Sequence, residues 1–146
     1  MSLWVRPMKP ADADAVALLE KACFSQPWST EALAAALNDP HARFFIAQAA
    51  DQIVGYIGCQ FVCGEGSILN LAVLPAARRS QVASALLTQL ILSARQESVE
   101  TLFLEVRCSN IPALKLYEKF GFVHCGRRPG FYSAPREDAL LLKKVL

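Results

Sequence analysis

A strand, a turn and an amphipathic helix, followed at once by a second apolar strand, occupy Ser67 to Val106 and constrain the fold more than any other stretch. Ser67 to Val73 reads as a β-segment that Leu74-Pro75 ends. Leu86, Leu87, Leu90, Ile91 and Ala94 then recur on one face of a helix from about Ala83 to Gln96. Thr101 to Val106 follows, nearly continuous in apolar side chains, as a strand covered on both faces must be. Strand, helix and strand at this spacing imply a parallel crossover, hence a mixed α/β fold with helices laid on a sheet. With 146 residues, 53% of them apolar, the chain holds enough material for one such core, so a single domain over 1–146 is expected.

The flanking segments extend the same sheet. Leu3 to Met8 reads as a short strand, and a turn with Pro10 and Asp12 leads to a helix carrying Val16, Leu19 and Cys23. Ser29 or Thr30 can cap a second, alanine-rich helix from Glu31 to about Leu37, stopped by Asn38, Asp39 and Pro40. Arg43 to Ala49 and Gln52 to Val62 form a hairpin around Ala50-Asp51, and Gly64 to Gly66 make the next turn. A helix from Pro112 to Phe120 has proline in its first turn and Gly121 at C′. Phe122 to Arg128 and Ala139 to Val145 close the chain as strands joined through a Pro/Gly/Ser-rich loop, Pro129 to Pro135. The expectation is a central, mostly antiparallel sheet of about seven strands flanked by about four helices.

Fifteen basic and thirteen acidic residues leave a formal charge of +2, too balanced to imply a nucleic-acid or membrane surface. No apolar run approaches the roughly 18–20 residues of a membrane span, and Met1 to Lys9 carries no secretory pattern, so a cytoplasmic location is expected. Cys23, Cys59, Cys63, Cys108 and Cys125 are odd in number, lack a CxxC pair and read as buried free thiols. His41 and His124 stand at no metal-ligand spacing, so no metal is expected.

Chemistry enters at the turn. A strand running into a helix N-terminus presents free backbone N–H groups and the positive end of the helix dipole, which suits a phosphate, and Arg78 and Arg79 add charge there. An ordinary loop with two solvated arginines is the other reading. The next stretch, Leu104-Glu105-Val106-Arg107-Cys108-Ser109-Asn110, is followed by a helix in which Asn110, Ala113, Tyr117, Gly121 and Phe122 fall in the pattern Asn-x-x-Ala-x-x-x-Tyr-x-x-x-Gly-Phe. In this the chain resembles the GCN5-related N-acetyltransferase (GNAT) family. Leu-Tyr-Glu-x-x-Gly-Phe, Arg136-Glu137-Asp138-Ala139 and Pro27-Trp28-Ser29 look like its ribosomal-protein-alanine (RimI) type. The resemblance runs through nearly the whole chain.

It implies the acetyltransferase fold and acetyl-CoA as cosubstrate. Leu71, Ala72 and Val73 would pair with the pantetheine arm, and the turn Arg78, Arg79, Ser80, Gln81, Val82, Ala83 and Ser84 would wrap the pyrophosphate. The family pattern Arg/Gln-x-x-Gly-x-Gly/Ala falls on Arg78 to Ala83, which puts Gln81 where a glycine usually stands. A left-handed backbone there would cost glutamine roughly 1–2 kcal/mol; the expectation is that its side chain points away from the phosphates. Glu105 takes the place of the general base. Read without the resemblance, it is a strand-end carboxylate paired with Arg107 on the same face. Tyr117 takes the place of the group that meets the departing thiolate; the alternative is a tyrosine packed against Leu114. Asn110 would orient the pantetheine or cap its helix, and Trp28 would line a peptide groove or join the core.

Cys108 lies close by but has no histidine to activate it, so direct transfer in a ternary complex is favoured over a covalent intermediate. The implied reaction moves acetyl to a protein N-terminal amine, the alanine terminus of a ribosomal protein, by a monomer or weak dimer. A small-molecule amine as acceptor, and a CoA-binding module with weak or no turnover, stay open as alternatives.

Overall fold

A computed structural model describes residues 2–146, so Met1 lies outside the described residues. In chain order the elements are β1 (Leu3–Pro7), α1 (Ala13–Cys23), α2 (Thr30–Leu37), β2 (Ala42–Ala49), β3 (Gln52–Val62), β4 (Glu65–Val73), α3 (Val82–Gln96), β5 (Thr101–Arg107), α4 (Ile111–Lys119), β6 (Val123–Tyr132) and β7 (Glu137–Val145). One sheet runs β1-β2-β3-β4-β5-β7-β6. Neighbours are antiparallel except β4 and β5, which the α3 crossover makes parallel. This is the mixed, mostly antiparallel architecture expected from the sequence.

Two cores cover the sheet. On one face Leu86, Leu87, Leu90 and Ala94 of α3 and Tyr117 of α4 meet Ile57, Cys59, Leu102, Leu104 and Val106. On the other, Val16 and Leu19 of α1 and Leu33 of α2 meet Phe44, Ile46, Tyr56 and Ala72. Gly55 lets α3 approach closely, since a Cβ there would stand 2.9 Å from Val82 Cγ1 and 3.0 Å from the Ala72 carbonyl. Ser29 Oγ accepts from Ala32 N at 3.1 Å and caps α2. Gly121 ends α4 in the left-handed conformation, φ 89°, that a C′ residue requires.

Three expectations are corrected. The loop expected at Pro129 to Pro135 is strand as far as Tyr132, and only 133–136 form the turn. The register shift between Arg128 and Tyr132 absorbs the extra residues, β6 is an edge strand where proline loses no ladder bond, and Asp138 Oδ1 accepts from Gly130 N at 2.8 Å. The turn expected at Gly64 to Gly66 is tighter: Cys63 and Gly64 both have positive φ, and β4 begins at Glu65. Finally, only Cys59 is fully buried among the five free thiols; Cys63 sits in that turn and Cys125 on the outer strand, both exposed.

Candidate active site

The parallel pair β4/β5 is in register only from Glu65/Thr101 to Ile68/Leu104. Beyond that, β4 runs on to Val73 and β5 to Arg107 without pairing to each other. The cause is on β4: Gly58 opposes Asn70 and Cys59 opposes Ile68, so Leu69 is an extra residue, a bulge that bends its strand. The bulge also exchanges faces. Ile68 before it and Leu71 and Val73 after it reach the α3/α4 core, while Asn70 and Ala72 turn toward α1. The two strands therefore splay, and backbone groups of Leu71, Ala72 and Val73 border an open wedge. One acceptor there is engaged: the Val73 carbonyl receives Arg78 Nε at 3.2 Å and Cys23 Sγ at 3.3 Å.

At the mouth of the wedge begins α3, 15 residues long. Its first intrahelical bond runs from Ala85 N to Gln81 O at 3.0 Å, and no side chain caps it, which leaves the N–H groups of Val82, Ala83 and Ser84 free at the positive end of the dipole. Gln81 is exposed and left-handed, φ 67°, and Arg79 adopts the same conformation two residues earlier, φ 66°. Ser80 Oγ binds the Ala77 carbonyl. The Val82 side chain is buried against the sheet, so only its backbone faces the turn. The residues present thus fit a pyrophosphate: a nest of N–H groups, Arg79 beside it and no obstructing cap, with Arg78 close by but donating to the Val73 carbonyl.

Glu105 stands on β5 just past the last paired residue, on the face opposite Leu104 and Val106, and its side chain is 35% exposed. Its ionic neighbour is Arg128 of β6, 3.9 Å away. The alternative reading, a pairing with Arg107, does not hold, because Arg107 turns to Glu137 at 3.2 Å. Tyr117 is buried, edge-on to Phe122 with ring centroids 5.3 Å apart. Burial pushes its phenol well above the ordinary value, with a smaller contribution from Tyr132. Among the described residues no side-chain polar atom is both fully buried and unpartnered, so the Tyr117 hydroxyl, for which no hydrogen-bond partner is found, keeps some exposed surface. Asn110 caps α4, its Oδ1 accepting from Ala113 N at 3.2 Å. Cys108 Sγ donates to Glu137 Oε2 at 3.3 Å, and that carboxylate raises its pKa, the reverse of what activates a nucleophilic thiol.

Sequence reasoning passed over the group that walls this site. Arg107 lies over the Tyr132 ring, 4.5 Å from its centroid, and donates to the Ser133 carbonyl at 3.0 Å and the Pro135 carbonyl at 2.9 Å. Glu137 receives Ser109 N at 2.7 Å besides Arg107 and Cys108. These donors hold its carboxyl down at about 2. The turn so fixed reaches across to the α1–α2 loop, where Ser25 Oγ donates to the Ala134 carbonyl at 2.6 Å and Ser133 Oγ to Gln26 Oε1 at 3.1 Å. The two loops bridge beside the wedge on the Glu105 face. The aromatic pair Phe131-Tyr132 inside the Pro/Gly-rich stretch was the available signal. Among the described residues no cluster of His, Cys, Asp and Glu could hold a metal ion, and no helix is long and apolar enough to cross a membrane.

Comparison with known proteins agrees with this geometry. Residues 13–122 match the family model described as Acetyltransferase (GNAT) family. A relative named ribosomal protein bS18-alanine N-acetyltransferase, from Haemophilus ducreyi, is 36% identical over 133 residues, covering 88% of this chain and 90% of its own. The protein of that name from Escherichia coli K12 is 31% identical over 140 residues, 94% of either chain. The crystal structure of the Escherichia coli enzyme superposes with a TM-score of 0.92 at 29% identity, over 99% of this chain and 94% of that one.

Proposed function

The chain belongs to the acetyltransferase (GNAT) family, and from that premise we propose that it transfers acetyl from acetyl-CoA to the N-terminal amine of a protein, the alanine terminus of a ribosomal protein being the acceptor its relatives' names point to. The observation that carries the reading is the wedge: one splayed strand pair offers an open backbone edge, an uncapped helix N-terminus at its mouth and a carboxylate on the facing strand. Acetyl-CoA supplies the thioester. The free N–H groups of Val82, Ala83 and Ser84, with Arg78 and Arg79, bind its pyrophosphate, and Leu71, Ala72 and Val73 offer backbone to its arm.

An N-terminal amine titrates near 7.7–8.0, so a substantial fraction is already neutral at pH 7.5 and the base has little work to do. Glu105, partly solvated and at the acceptor face, takes the proton released as the N–C bond forms, directly or through one water. The C–S bond breaks in the same transfer, and charge develops on sulfur. The Tyr117 proton is held more tightly than that of a free phenol, and a thiol titrates near 8.5, so the hydroxyl acts as a hydrogen-bond donor to the departing thiolate and keeps its proton. Asn110 fixes the start of α4 and through it the height of Tyr117 in the cleft. The bridged loops, 25–29 and 132–136, wall the acceptor side.

Thiol release from acetyl-CoA tests this with four acceptors: a peptide beginning with alanine, the same peptide blocked at its N-terminus, free alanine and a polyamine. Release with the free peptide alone is expected. Faster release with the polyamine, or acetyl-CoA binding without any release, would overturn the reading.

A further inference from the structure

Glu20 lies on α1 with no exposed surface, and every group that meets its carboxyl is a donor. Oε1 accepts from Trp28 N at 2.9 Å; Oε2 accepts from the Tyr56 hydroxyl at 2.6 Å and from Asn70 Nδ2 at 3.1 Å. Three donors converge on the carboxyl, as an ionised carboxylate requires; burial raises its pKa, and the bonds from Trp28 N and the Tyr56 hydroxyl oppose that rise. Asn70 is the residue just past the bulge on β4, at the start of the unpaired stretch and on the α1 face. Glu105 projects to that same face from β5, across the wedge. With Nδ2 spent on Glu20, Asn70 keeps its Oδ1 as a free acceptor; no described residue donates to it and it is not fully buried.

We propose that Glu20 is a positioning residue for the acceptor: it holds the Asn70 amide in the one orientation that presents Oδ1 to the wedge, where it receives an N–H of the acceptor amine opposite Glu105. The inference rests on the acceptor assignment above. An amine anchored this way by one N–H has its other proton toward Glu105 and its lone pair toward the thioester. The orientation depends on Glu20 having two acceptor oxygens. In a Glu20→Gln variant one oxygen becomes NH2. The Trp28 N–H is backbone and cannot turn over, so the glutamine oxygen stays with it and the NH2 group faces Tyr56 and Asn70. The Tyr56 hydroxyl can rotate to accept. Asn70 can satisfy the new donor only by flipping, which points its own NH2 into the wedge and replaces an acceptor with a donor.

Steady-state kinetics with an alanine-starting peptide decide the matter. Glu20→Gln and Asn70→Ala should each raise the peptide KM about tenfold, the factor produced by losing one hydrogen bond of about 1.4 kcal/mol. The acetyl-CoA dissociation constant should not change, and the double variant should be no worse than Asn70→Ala, since both act through one contact. A purely structural role would lower the unfolding temperature and leave KM alone; that result, or additive KM effects, overturns the proposal. If Glu20→Gln does not fold, Asn70→Ala decides alone, and an unchanged peptide KM sinks the idea. Wild-type protein that acetylates no peptide instead refutes the acceptor assignment, and this inference with it.

Discussion

Gln81 precedes the first turn of α3 in a left-handed conformation, φ 67°, with its side chain exposed and making no capping bond. The family pattern places glycine there because that backbone is the one an L-residue resists, at roughly 1–2 kcal/mol. The chain accepts the strain and keeps the turn, and the Gln81 side chain makes no capping bond to the backbone N–H groups that follow. Gln81→Gly should therefore raise the thermal midpoint by about 2–4 °C for each kcal/mol recovered in a chain of this size, and bind acetyl-CoA at least as tightly. A lower midpoint would show that the strain is not felt. Glu137 has a depressed pKa in the folded protein, about 2 against an ordinary 4.5, so the stability it contributes is complete above pH 4.5 and fades as pH falls toward 2. Urea midpoints measured from pH 5 to pH 3 should fall less steeply in Glu137→Gln than in wild type, and parallel slopes would contradict the assignment. Glu137 shows why such residues are hard to read in advance: as sequence it was one member of a family-like run, and its donors, Ser109 N, Cys108 and Arg107, come from a strand end about 30 residues earlier.

At the scale of elements, periodicity sufficed for α3, β5 and the parallel crossover between β4 and β5, because buried faces repeat every 3.6 or two residues whatever surrounds them. It could not reveal the bulge at Leu69, which is visible only when β3 is laid against β4, yet the bulge opens the wedge and decides which side chains face α1 and which face α3. The β6–β7 turn was misjudged for a related reason. Pro129 and Gly130 break strands in general, but an edge strand tolerates them when a register shift and Asp138 take up the geometry. Caps were legible, being local chemistry, and α4 offers the test. Asn110→Ala should destabilise the protein by about 1 kcal/mol in denaturant unfolding, while Asn110→Asp, which can still accept from Ala113 N, should retain most of that stability. Equal losses in both would mean that the side chain does more than cap.

For the whole molecule, a formal charge of +2 implies no extended electrostatic footprint, and the groups of the proposed reaction gather where two strands part. Wedge, uncapped helix and bridged loops all lie around the ends of β4 and β5, and the rest of the sheet holds them in place. In the proposed reaction Glu105 takes the proton and Tyr117 meets the departing sulfur. Tyr117→Phe should lower kcat while leaving the peptide KM near its wild-type value, and an undiminished kcat would remove Tyr117 from the chemistry. The central claim is narrower still: the acetyl group goes to an N-terminal amine with Glu105 as base. Mass spectrometry of a peptide that begins with alanine and carries one internal lysine, after incubation with acetyl-CoA, tests it most directly. Acetyl should appear on the terminal nitrogen alone, at a rate that Glu105→Gln lowers by about 10²–10⁴-fold. Acetyl on the lysine side chain, or a Glu105→Gln variant as fast as wild type, would contradict it.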